Sequence, residues 1–157
     1  MGLARIGEIT KKHHIYQNCI NDILMTHADF PPALIEKCRM NLNIMDTEGL
    51  KESIRELVKA DKYSIHAYQY WTFYDLCQVG QLDDARERFE RLNGLIQEKE
   101  GNNFEVLLFT ATLMSRICGR ASRILDICIR MLMKCQKMRP SASQPLVELG
   151  NCYYMIN

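Results

Sequence analysis

The sequence predicts an all-α chain of consecutive antiparallel helical hairpins, about eight helices and no strand. Three observations carry that expectation. Apolar residues recur at steps of three and four along most of the chain, the period of helices that lay one face on a core. Glycine and proline separate those stripes, at Gly49, Gly80, Gly119 and Pro140. The composition, 47% apolar and 25% charged over 157 residues, suits one globular domain able to bury a core. No apolar run approaches the roughly 18 residues that a membrane span needs, so no membrane insertion is expected. Nor does the N-terminus carry the pattern of a secretory signal, and Ile6 stands where a myristoylation pattern wants Ser or Thr.

The elements follow in order. Ile15, Cys19, Ile23 and Met25 place a helix over roughly residues 9–26. Pro32 marks the start of an inner helix reaching about residue 45, with Ala33, Leu34, Lys37, Cys38 and Met40. Leu50, Ile54, Leu57 and Val58 stripe its outer mate, with Asp46 or Thr47 as N-cap. Tyr68, Tyr70, Trp71, Phe73 and Tyr74 cannot share one face, so a helix over residues 64–79 is covered on most sides. Gly80 offers a C-cap, and Asp83 and Asp84 bring negative charge to the first turn of the next helix, where its dipole favours it. That helix is amphipathic, with a stripe of Leu82, Ala85, Phe89, Leu92 and Ile96. Phe104, Leu107, Leu108, Ala111, Met114 and Ile117 form another inner helix that Gly119 ends. Ile124, Cys128, Met131, Cys135 and Met138 line its outer partner. Beyond Pro140, residues 145–156 begin a further inner helix, expected to pack through Leu146, Leu149, Tyr153 and Ile156 while Val147 and Tyr154 stay uncovered.

The spacing of the breaks sets the architecture. Asp46 to Gly80 is 34 residues, and Gly80 to Gly119 is 39, the excess matching the polar insertion Glu98-Lys99-Glu100-Gly101-Asn102. A two-helix period of 34 is that of the tetratricopeptide repeat. Gly80-Gln81-Leu82-Asp83-Asp84-Ala85 looks like the turn and small outer-helix position of such a repeat, and Pro140 with Leu146, Leu149, Gly150 and Tyr153 fits its proline and inner-helix signature. The expected fold is therefore a short right-handed solenoid of tetratricopeptide-like hairpins, a single array over residues 1–157 cut from a longer one. Residues 1–28 supply the outer helix of a preceding repeat, residues 31–62, 64–98 and 103–139 are hairpins, and residues 145–157 are the inner helix of a further repeat.

Two patches carry a resemblance. Over Ala67 to Leu92, the residues Gly80, Leu82, Ala85 and Leu92 fall in the order of the tetratricopeptide repeat protein 21 family. Ser115-Arg116-Ile117-Cys118-Gly119-Arg120 followed by Ile124-Leu125, with Glu148-Leu149-Gly150 beyond it, matches more distinctively. Residues 24 to 156 resemble the early part of that family, the large repeat subunit of the intraflagellar-transport A complex. The resemblance implies a scaffold of retrograde ciliary transport and cargo entry, located in the cilium or flagellum and at its base. It implies as partners the other subunits of that complex and cargo adaptors for membrane proteins.

Chemistry-bearing patterns are few. Seven cysteines, an odd number without a C-x-x-C pair, disfavour zinc and disulfides and suit buried thiols in a reducing, cytoplasmic space. His66 and Cys77 stand eleven residues apart on one helix, about 16 Å and too far for proton transfer. Adjacent His13 and His14 face different ways, which argues against a metal site. The charge of +1 is uneven: Lys and Arg against Asp and Glu number 8 against 12 over residues 46–100 and 7 against 3 over residues 101–157. Arg123, Arg130, Lys134 and Lys137 share one helix face at the basic end, with Arg116, Arg120 and Arg139 beside them. By repeat register, Arg39, Tyr70, Tyr74 and Arg116 fall on inner helices, whose concave wall is the usual ligand surface of such arrays. The candidate partner-binding residues are therefore Arg39, Tyr70, Tyr74, Arg116, Arg120, Arg123, Arg130 and Lys134. No catalytic, cofactor or metal residue is expected. The alternatives are a generic tetratricopeptide adaptor and an RNA reader of pentatricopeptide type, whose period is similar. Asn41, Tyr74 and Leu113 lack the consistent polar code such a reader needs, and a near-neutral chain with few aromatics beside its basic face disfavours nucleic acid.

Overall fold

A computed structural model of the chain describes residues 13–157, apart from the side chains of His13, Gln78 and Val79. The expected helix start at residue 9, and so part of the 1–28 segment, lies outside the described residues. The described residues form eight helices and no strand: α1 (His13–Thr26), α2 (Pro31–Asn43), α3 (Thr47–Ala60), α4 (Ile65–Tyr74), α5 (Leu82–Lys99), α6 (Phe104–Ile117), α7 (Ser122–Met138) and α8 (Ser143–Ile156). A single π-helical turn, Asp75–Val79, continues α4. Neighbouring helices pack in pairs, so the all-α hairpin class is borne out. The chain divides into two compact units, one ending at Tyr70 and the other running from Trp71 to Asn157.

In the first unit α2 packs against α3 and α1 against α2. Pro31 occupies the first turn of α2, where its missing N–H costs nothing. Asp46 caps α3 by accepting the Gly49 N–H at 3.0 Å. The α2–α3 crossing is close because Gly49 has no side chain: a Cβ there would overlap Asp46 Oδ2 and stand 3.2 Å from Asn41 Nδ2. Buried Asn41 donates to Ser53 Oγ at 2.9 Å, and Ser53 donates to the Gly49 carbonyl at 2.7 Å, so the polar groups at this crossing satisfy one another. Leu34, Cys38, Leu50, Ile54 and Leu57 fill the space between the helices. Tyr16 and Ile20 of α1 pack with Leu24 and Met40.

In the second unit α7 is central, packing against α5, α6 and α8. Its buried residues Ile124, Leu125, Cys128, Met131, Leu132 and Cys135 form one broad apolar face, opposite its charged residues. Gly80, at φ +69°, ends the π turn in the left-handed conformation that glycine adopts without steric cost, and its N–H bonds the Asp75 carbonyl. Asn103 caps α6 by accepting the Val106 N–H at 3.2 Å. Ala85, Phe89, Leu92 and Ile96 are buried as expected, but Leu82 is not: at the first position of α5 it is 52% exposed. Of the expected insertion at residues 98–102, Glu98 and Lys99 belong to α5, and residues 100–102 form the bend and turn that lead to α6. The register of α8 also differs from expectation. Pro145, Glu148 and Cys152 face inward, whereas Leu146, Tyr153 and Ile156 are exposed along with Val147 and Tyr154. Apolar residues on both faces leave the period ambiguous, and the Arg116–Glu148 pair described below decides it.

Candidate protein-interaction surface

The first unit holds Arg39 and Tyr70. Arg39 is half-buried and its guanidinium lies 2.6 Å from Glu36 Oε2, one turn earlier on α2. The same oxygen accepts the Tyr16 hydroxyl at 2.6 Å, so Arg39 belongs to a network joining α1 to α2. Burial and then the Glu36 hydrogen bond push the Tyr16 phenol up to about 12. Tyr70 is half-buried; desolvation and then Cys38 raise its phenol to about 12, so both tyrosines remain protonated donors across the physiological range.

The other candidates lie in the second unit. Tyr74 is buried at the end of α4. Beside it Asp75, 3% exposed, accepts Arg88 Nε at 2.5 Å, and the same guanidinium sits 3.9 Å from the Trp71 ring centroid. Burial raises the Asp75 carboxyl above the usual carboxylate range, with Arg88 pulling it back. This triad fastens the π turn to α5. Arg116, at the last turn of α6, reaches α8 and pairs with Glu148 Oε1 at 2.6 Å. Glu148 is 3% exposed and its Oε2 makes no hydrogen bond.

Four cations of the basic hairpin part company. Lys134 donates to Gln97 Oε1 of α5, and Arg139 pairs with Glu105 at 2.9 Å while lying 4.1 Å from the Phe104 centroid. Arg123 and Arg130 turn instead into a groove between α5 and α7 whose opposite wall carries Arg86 and Glu90, with Asp126 between the two arginines. The groove continues past Arg86 and Arg123 to Arg120, Asp83 and the exposed Leu82. Arg86 is paired with Glu90 at 2.9 Å along α5. Only the packing of α5 against α7 brings Arg86 to Arg123 and Arg130.

The cysteines offer little chemistry. Burial pushes Cys38 up to about 12 and Cys118 and Cys135 to about 11, and raises Cys77, Cys128 and Cys152 as well, which keeps these thiols protonated and poorly nucleophilic. Among the described residues no three His, Cys, Asp or Glu side chains are arranged to hold a metal ion. No described helix is long and apolar enough to cross a membrane.

No known family profile matches the chain. It is nevertheless 25% identical over 156 residues to human (Homo sapiens) tetratricopeptide repeat protein 21B, a match covering 99% of this chain and 12% of that protein. The mouse (Mus musculus) 21B protein is 26% identical over the same length, with the same coverage. Mouse tetratricopeptide repeat protein 21A is 24% identical over 135 residues, 86% of this chain and 10% of that one. The chain thus spans about an eighth of the relatives it matches. Neighbouring helices packed in pairs and similarity from end to end agree: tetratricopeptide repeat proteins 21A and 21B are homologues of this chain over nearly its whole length.

Proposed function

We propose that this chain is a non-catalytic protein–protein interaction scaffold, acting as part of the intraflagellar-transport A complex in retrograde ciliary transport and cargo entry. Its partners are then other subunits of that complex and cargo adaptors, and its place is the cilium and its base. The observation that carries this reading is similarity to tetratricopeptide repeat protein 21B over 99% of the chain, since tetratricopeptide arrays act by binding other proteins. Residues 31–62, 64–98 and 103–139 serve as the repeat hairpins of one array in this reading. Arg120, Arg123 and Arg130 are the candidate contacts it favours most: they are exposed and, among the described residues, make no ion pair. Affinity capture of the tagged chain from ciliated cells, followed by quantitative mass spectrometry, tests it. Transport-complex subunits should be enriched. Enrichment of ribonucleoproteins that ribonuclease treatment abolishes would replace this reading with the RNA-binding one.

A further inference from the structure

We propose that the groove between α5 and α7 is a docking site for an extended acidic peptide segment of a partner protein. The proposal rests on the scaffold reading above and names the chemistry of one of its surfaces.

Three observations converge. Arg123 and Arg130 line one wall and Arg86 the other, so arginines from two helices face one concave strip. Arg120 extends that strip past the start of α7. Of the other cations of the hairpin, Lys134 is engaged with Gln97, Arg139 with Glu105 and Arg116 with Glu148, and the exposed Lys137 does not line the groove, so this strip is where arginines gather with charge available. Guanidinium forks suit carboxylates, which they bind with two parallel hydrogen bonds.

The acids in the groove restrict which sequence fits. Glu90 is engaged by Arg86, but Asp126 lies between Arg123 and Arg130, and Asp83 lies near Arg120. A uniformly acidic strand would set a carboxylate against Asp126. Seven helical residues separate Arg123 from Arg130, a rise of about 10 Å. An extended chain of polyproline II type, rising about 3.1 Å per residue with three residues per turn, covers that distance in about three residues and brings i and i+3 to the same side. The fitting segment therefore carries two acidic residues three apart, with neutral or hydrogen-bond-donating residues between them to face Asp126. The exposed Leu82 at the Arg120 end adds an apolar contact for a hydrophobic residue just beyond the acid that meets Arg123. Such spacing discriminates among acidic sequences, which a diffuse positive patch does not do.

The test measures fluorescence anisotropy of labelled synthetic peptides with the 157-residue chain. One peptide carries glutamates three apart with serines between and a terminal leucine; the second replaces the glutamates by glutamine, and the third is a run of consecutive glutamates of equal charge. The spaced peptide should bind about tenfold more tightly than the glutamine peptide, and more tightly than the consecutive one, with affinity falling as salt rises. R123E/R130E should lose that binding, while R91E, an exposed change outside the groove, should leave it unchanged. Unchanged binding by R123E/R130E would overturn the proposal, as would equal binding of the consecutive peptide, or tighter binding of an oligouridylate that competes for the same groove. Cellular capture separates the two levels. If wild type enriches transport subunits but fails to bind the spaced peptide, the groove assignment falls and the scaffold reading stands; if wild type binds the spaced peptide but enriches no transport subunit, the groove stands and the scaffold reading falls.

Discussion

Replacing Arg88 by Met should cost about 3 to 4 kcal/mol, a large part of the 5 to 15 kcal/mol by which domains are stable. The number follows from what Arg88 touches. Its partner Asp75 is 3% exposed, so removing the guanidinium strands a buried carboxylate, an event worth about 3 to 5 kcal/mol. Its contact with Trp71 adds about 0.5 to 1 kcal/mol. Arg88 itself is 29% exposed, and the water that reaches it places the total near the lower end. Methionine preserves most of the aliphatic stem, which isolates the charge. The effect also has a pH signature. Burial already raises the Asp75 carboxyl and Arg88 opposes that shift, so the variant's folded state binds the proton still more readily than the unfolded chain. A folded-state pKa above the unfolded one means that stability rises as pH falls through it and is lost as pH rises. The deficit of the variant should therefore be greatest at neutral pH and shrink toward acid. Urea unfolding followed by Trp71, the one tryptophan of the chain, reads this locally. Asp75→Asn in the same background should recover part of the loss. A deficit below about 1 kcal/mol, or no recovery in the double variant, would show that the triad does not hold the π turn in place.

Three further outcomes are expected. Ala85→Leu should overpack the buried start of α5 and cost about 1 to 3 kcal/mol; a neutral urea midpoint at unchanged slope would contradict the close packing there. Met45 sits at φ +59° with a side chain 71% exposed, so Met45→Gly relieves left-handed strain without losing burial and should raise stability by about 1 kcal/mol, measurable as a higher melting temperature. The exposed Leu146, Val147 and Tyr154 of α8 should drive concentration-dependent association, which sedimentation would detect and V147S/Y154S should reduce.

The helices and their ends were legible because each depends on residues close in sequence. Stripes such as Leu50, Ile54 and Leu57 repeat at helical spacing, and Asp46 and Gly80 work through backbone groups one turn away. What stayed hidden depends on long separations or on irregular backbone. A π turn has no periodic signature, so the helix expected over residues 64–79 gave no sign that α4 changes its winding at Asp75. The Arg116–Glu148 pair joins residues 32 apart, and without it the apolar residues on both faces of α8 leave its inward face undecided. The basic stripe of α7 was visible, but its splitting was not. Arg123 and Arg130 meet Arg86 whereas Lys134 meets Gln97 only because α5 lies alongside α7.

Zero-length crosslinking of lysines to carboxylates, with the complex captured from ciliated cells, tests the central claim most directly. Lys134 and Lys137 on α7 border the basic face and report what lies against it. The account predicts crosslinks from these lysines to acidic segments of intraflagellar-transport A subunits or cargo adaptors, lost in R123E/R130E. Crosslinks absent from α7, or insensitive to that substitution, would contradict it.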